Sequence, residues 1–237
     1  MSTERTDSAT TPETTARAEG TARAERRAPL DRARVADTAL RLLNEVGLEG
    51  LTLRAIAREL DVKAPALYWH FKDKQALLDE MATEMYRRMI AGIPLDHAQT
   101  WQERLLAANR GLRTALLGYR DGARVFSGSR FTGAVHAEQM EDTLRVFTGA
   151  GFTLAQAVRA TQTSYLYTIG YVTEEQGVQP MADERREGYD LDERARVLSD
   201  YPLTAAAGRE IFEGFDRHFE EGLTLLLAGI TAQYGIA

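Results

Sequence analysis

A hydroxyl at Thr52, a guanidinium at Arg54, amines at Lys63, Lys72 and Lys74, and the rings of Tyr68, Trp69 and His70 crowd into residues 51–78, LTLRAIARELDVKAPALYWHFKDKQALL. These groups donate hydrogen bonds to phosphates and base edges, and the rings add flat contact surface. Catalysis finds little to work with. The four histidines, His70, His97, His136 and His218, are scattered, cysteine is absent, and no glycine-rich phosphate loop occurs. A unit this small displays such groups together when their surface meets a partner, and the DNA major groove suits them.

The elements that must hold these residues are helices. Val35, Ala39, Leu42, Leu43 and Val46 share one face of a first helix that starts near Asp31 and stops at Gly47, where a left-handed cap is easiest. Thr52 caps a second helix with apolar face Leu53, Ile56, Ala57 and Leu60. A third opens at Ala64, with Pro65 in its first turn where a missing N–H costs nothing. Helices two and three are joined by about four residues, the connection length of a helix-turn-helix, with Asp61 at the position that needs a left-handed residue. A fourth helix begins near Asp73 and carries Leu77, Leu78, Met81, Met85 and Met89 towards Ile90.

Beyond Pro94 the pattern stays helical over residues 101–117, 136–148 and 154–175, with a glycine-interrupted stretch at 118–133. Residues 176–202 read as a polar, mobile connection with one short helix. A final helix is expected over 207–234, with Phe212, Phe215, Phe219, Leu223, Leu226 and Ile230 on one stripe. Period-two alternation is absent, so the chain reads as all-α. At 237 residues it divides into a disordered tail (1–28), a helix-turn-helix head (29–75, continued by a helix over 72–91) and a larger helical core (76–237).

Residues 1–28 contain no Val, Ile, Leu or aromatic side chain and cannot offset the entropy of ordering. Arg23, Arg26 and Arg27 suit either a minor-groove arm or a solvated charge run. No apolar run is long enough to span a bilayer and the amino terminus lacks a signal-peptide h-region, which fits a cytoplasmic protein with no membrane partner. The net charge of −6 opposes nucleic-acid binding overall. Residues 29–91 hold ten Lys plus Arg and ten Asp plus Glu, so the head must rely on a local basic cluster.

At LTLRAIA (51–57), Asp61-Val62 and ALYWHFKDK (66–74), followed by Leu77-Leu78, the chain resembles the tetracycline-repressor (TetR) family of one-component regulators. The resemblance implies that Lys63, Ala64, Pro65, Ala66 and Tyr68, at the start of the second helix of the motif, face base edges and the adjacent backbone. Arg54 is implied to reach a guanine, with Thr52, Tyr68, His70, Lys72 and Lys74 on phosphates. Tyr68 and Trp69 also admit a reading as core aromatics, and His70, Lys72 and Lys74 as solvated residues. Ala64 stands where the tetracycline-responsive members place a base-reading glutamine, so their operator does not carry over.

The resemblance continues at lower specificity through RTALLGYRDGARV (113–125), Gly128-Ser129-Arg130, Leu144 and GFTL (151–154). It implies a core that binds an inducer and dimerises through its long helices, giving the spacing a palindromic double-stranded operator demands. Tetracycline-binding members hold a drug–magnesium chelate through a histidine, and Phe126 stands at that position. Ile90, Ala108 and Leu112 replace other polar or aromatic anchors, while Ser129, Arg130 and Glu174 are retained. A phenyl ring cannot ligate a hard cation, so neither magnesium nor another cofactor is expected. The expected pocket is apolar, lined by Ile90, Ala108, Leu112, Phe126, Leu144, Tyr165 and Tyr167, with Ser129, Arg130, Thr168 and Glu174 as polar contacts. Each aromatic also admits a reading as core filling. The leading reading is a ligand-responsive repressor released by a flat, hydrophobic molecule. An activator or ligand-independent regulator is the nearer alternative, and a helical enzyme sharing the head the remote one.

Overall fold

The computed structural model describes residues 30–92 and 100–236; the tail with Arg23, Arg26 and Arg27, and His97 of the fourth-to-fifth connection, lie outside them. The described residues form eleven helices and no strand. They are α1 (Arg32–Gly50), α2 (Leu53–Glu59), α3 (Ala64–Tyr68), α4 (Lys74–Ala91), α5 (Trp101–Leu117), α6 (Gly122–Phe126), α7 (Ala137–Gly149), α8 (Leu154–Val178), α9 (Leu191–Val197), α10 (Pro202–Phe212) and α11 (Phe215–Tyr234).

Local chemistry starts most of these helices. The side chains of Asp31, Thr52, Asp73, Thr100 and Thr153 each accept a hydrogen bond from a first-turn N–H, and Glu103 and Gln156 return the bond to complete two capping boxes. Asp61 takes the left-handed conformation expected of it, at φ 55°. Gly47 breaks α1 at φ 67°, ψ 175°. Just before that break the expected face fails at Val46, which is exposed. The single helix expected over 207–234 is two, because Gly214 adopts φ 64° and redirects the chain between α10 and α11. One short helix, α9, does lie within 176–202.

One apolar cluster runs unbroken from the head into the core: Val35, Leu43, Ile56, Leu67 and Phe71 join Met81 and Met85 of α4, then Leu112, Leu116, Val125, Phe126 and Val172. The fourth helix therefore belongs to both units. Arg32 ties the start of α1 to the first half of α4 and the residues before it: it donates to Glu80, which is only 5% exposed, at 2.7 Å, to the His70 carbonyl, and lies 4.5 Å over the Phe71 ring. A second cluster gathers Trp101, Leu105, Phe147, Phe152, Ala157 and Ile230 at the opposite end.

The α5–α6 turn brings backbone against backbone. A Cβ on Gly122 would stand 2.1 Å from the Leu116 carbonyl oxygen, so only glycine fits without moving the chain. Replacing it with alanine, Gly122→Ala, is expected to destabilise the protein by about 1–3 kcal/mol. Urea unfolding followed by circular dichroism measures this, and an unchanged midpoint would contradict the packing described.

Candidate functional site

The helix-turn-helix presents an exposed polar surface on a buried apolar base. Ile56, Ala57, Leu60 and Leu67 face inward, which leaves Arg54, Lys63, Pro65, Tyr68, Trp69, Lys72 and Lys74 exposed. Tyr68 is 55% and Trp69 91% exposed, so neither is a core aromatic. Ala64, Ala66 and His70 are half-buried. Lys63 provides no side-chain cap to α3, where Pro65 has no N–H and Ala66 N–H donates to the Lys63 carbonyl at 2.9 Å. The Thr52 hydroxyl accepts from Ala55 N at 3.1 Å, and the Lys74 ammonium donates to the Leu48 carbonyl at 2.9 Å. Both residues thus stiffen the head as well as facing solvent.

The second site is a cavity of about 370 Å³ between α4, α5, α6, α7 and α8. Six of the eleven expected ligand residues line it: Ile90, Ala108, Leu112, Phe126, Ser129 and Tyr165. Five do not. Arg130 is exposed, its backbone N–H donating to Asp79; Leu144 packs on the Trp101 cluster; and Glu174 faces solvent on α8. Tyr167 stacks on Phe219 at 5.6 Å and donates to that residue's carbonyl at 3.0 Å, which makes it part of the α8–α11 contact. Thr168 is buried behind the wall, donating to Asn109 Oδ1 at 2.7 Å. The helical turn decides two of these cases: residues three or four apart share a face, and 167 and 174 fall on other faces than 161 and 165, whereas Thr168 shares their face and is taken up by Asn109.

Phe131 is the ring the sequence did not single out. It contacts Tyr86 at 4.7 Å, Phe126 at 5.3 Å and His136 at 5.6 Å between centroids. No periodic signal marks it, because it lies in the loop between α6 and α7. Tyr86 and Arg104 were legible in principle, standing four residues before Ile90 and Ala108 on the same helical faces. Burial pushes the Tyr86 and Tyr165 phenols up from their ordinary value, so both stay neutral.

The polar groups of the wall divide into satisfied and unsatisfied. Ser129 donates to the Val125 carbonyl at 2.7 Å, Ser164 to Thr161, and Asn109 to Leu105 at 2.8 Å. By contrast, Arg104 is 2% exposed and none of its three guanidinium nitrogens has a hydrogen-bond partner; the Nδ1 of His136 is likewise buried and unpartnered. Among the described residues no Asp or Glu lines the cavity. Among the described residues no cluster of three His, Asp or Glu could hold a metal ion. A larger open groove beside Arg113 makes no such demand, since that arginine is already paired with Glu175 at 2.6 Å and Asp216 at 2.7 Å.

Residues 35–81 match the model for bacterial regulatory proteins of the tetR family, and residues 93–234 match the tetracyclin repressor-like C-terminal domain. The tetracycline repressor protein class C of Escherichia coli is 38% identical over 210 residues, covering 85% of this chain and 90% of that protein. The chain belongs to the TetR family. Solved structures agree with this TetR-family fold. A possible TetR-family transcriptional regulator from Streptomyces coelicolor A3(2) is 38% identical with TM-score 0.74, covering 85% of this chain and 99% of that one. A TetR variant from Acinetobacter baumannii AYE in complex with minocycline is 35% identical with TM-score 0.67, over 86% and 98%.

The exposed face of this TetR-family head makes two expectations measurable. Arg54→Ala is expected to weaken binding to the selected operator by about ten- to hundredfold, the worth of one forked base contact. Lys72→Ala should lower affinity for all sequences alike and reduce the salt slope by about one. Fluorescence anisotropy across a salt series checks both, with thermal melts to show that each variant is folded.

Proposed function

We infer that the protein is a ligand-responsive DNA-binding repressor acting in the cytoplasm as a homodimer, released from a palindromic operator when a small, flat, largely hydrophobic molecule enters the cavity. The observation that carries this is the shared wall. Phe126 of the cavity belongs to α6, and the turn just before α6 is bonded to the head: Leu48 N–H donates to Asp121 Oδ2 at 2.9 Å, Arg120 N–H to Asn44 Oδ1 at 2.9 Å and its Nε to the Asn44 carbonyl at 3.0 Å. The fourth helix adds a second path, beginning beside the DNA-facing lysines and ending at Ile90 in the cavity. A ligand that favours one arrangement of α4 and α6 changes how the two heads are spaced, and that difference in affinity is what release requires.

Dimerisation is supported by α8 and α11. Tyr167 and Tyr171 donate to the Phe219 and Phe215 carbonyls and hold the two helices together as one slab. Leu154, Val158 and Leu166 of α8 and Leu225 of α11 remain exposed on it, apolar area that a lone subunit gains nothing by showing to water.

A magnesium-chelated tetracycline is not the inducer in this reading. Phe126 offers a ring where a ligand is needed, the expected acidic neighbour Glu174 stands outside the cavity, and an arginine lies within it. Titration with tetracycline should therefore show no affinity gain from magnesium, and a tight magnesium-dependent complex would refute the assignment. Gel-shift assays on DNA flanking the protein's own gene test the function as a whole; folded protein that shows no sequence selectivity at moderate salt overturns it. Leu225→Glu, which sets a charge on the slab at a residue 74% exposed, is expected to yield a monomer by light scattering and to lose more than about tenfold in operator affinity.

A further inference from the structure

We propose that Arg104 is the anchor for a carboxylate on the inducer, so that this cavity selects apolar organic acids over neutral molecules of the same shape; the proposal rests on the cavity being the inducer site. Arg104 stands in the first turn of α5, four residues before Ala108 and eight before Leu112, and so on the face that forms the cavity wall. At 2% exposed it is withdrawn from water, and all three nitrogens lack a partner. A guanidinium cannot shed its charge to escape this situation. Burying it unpaired is costly unless something supplies the counter-charge.

The protein does not supply it. Among the described residues no carboxylate reaches the guanidinium. The adjacent Glu103 is committed to the capping box, accepting from Thr100 N at 2.8 Å, and the buried Glu175 is taken by Arg113. Among the described residues the cavity wall holds no acid, while His136 offers a second buried, unpartnered nitrogen. A cation or a metal chelate would meet a guanidinium, an imidazole and neutral polar groups with no described carboxylate to balance its charge, and is disfavoured. A planar carboxylate matches the guanidinium fork with two parallel hydrogen bonds, and Leu112, Phe126 and Phe131 provide the apolar surface for the remainder of the molecule.

Wild type, Arg104→Met and Arg104→Lys are titrated with 9-anthracenecarboxylate and with neutral 9-anthracenemethanol, and their melting temperatures are measured without ligand. Wild type is expected to prefer the acid by more than about tenfold, the value of a hydrogen-bonded charge pair. Arg104→Met should bind the alcohol at least as well as wild type, lose the preference for the acid, and melt no lower than wild type, since it removes an uncompensated buried charge. Arg104→Lys should keep a reduced preference. Equal wild-type affinity for the two probes, or a preference that survives in Arg104→Met, overturns the anchor and leaves the cavity reading standing. A lowered melting temperature for Arg104→Met makes the guanidinium structural and also overturns it. Failure of both probes to bind wild type overturns the anchor and counts against the cavity reading together with it.

Discussion

The close approach of α6 to the end of α5 is the constraint on which the rest of the molecule depends. Gly122 lets the α6 backbone settle against the Leu116 carbonyl, and the buried Gln176 of α8 bridges the junction: its amide donates to Leu116 O at 3.3 Å and Tyr119 O at 2.7 Å, while its carbonyl accepts from Ala123 N at 3.1 Å. Residues 118–121 are thereby held in one conformation, with Asp121 left-handed at φ 56°. From that fixed turn the side chains of Asp121 and Arg120 and the Arg120 backbone N–H reach the end of α1, and from the other end of α6 a phenylalanine enters the cavity. Loosening the junction would detach the head and open the cavity together.

The electrostatics divide in the same way. Most charged groups near the junction are matched: Arg32 with Glu80, Arg88 with Asp37 at 2.7 Å, Arg113 with Glu175, and Arg120 with Glu184. Against this background Arg104, in the cavity with no partner, stands out, because the chain has placed acids beside these other arginines. Surface pairs of this kind contribute little to stability individually. Their value here is geometric, since they fix which parts of α1, α4 and α5 move as a unit.

The acidic net charge and the DNA-binding surface are compatible for a local reason. The head is neutral over residues 29–91, and several of its acids are already engaged: Glu80 holds Arg32, Asp73 caps α4, and Asp37 pairs with Arg88. The exposed side of α2, α3 and the start of α4 carries Arg54, Lys63, Lys72 and Lys74 with two large rings. A tryptophan 91% exposed has no packing role to explain it.

Short-range chemistry was legible without the structure. Caps such as Thr52 and Asp73, the left-handed Asp61 and the buried stripe of the helix-turn-helix depend on residues within four positions of one another, and helical periodicity reports them directly. Leu67 inside and Tyr68 and Trp69 outside needed the third dimension only to decide between two open readings. The cavity was half legible: positions on α4 and α5 carried over, but Tyr167 and Glu174 on the 25-residue α8 fell to other faces because nothing local fixes how that helix is rotated against its neighbours, and Thr168 is buried against Asn109. The break at Gly214, the role of Phe131 and the isolation of Arg104 arise only when distant elements close around them. An arginine in a helix's first turn ordinarily reaches water, and only the packing of α4, α7 and α8 over α5 removes that water and leaves the charge to be answered by something other than the protein.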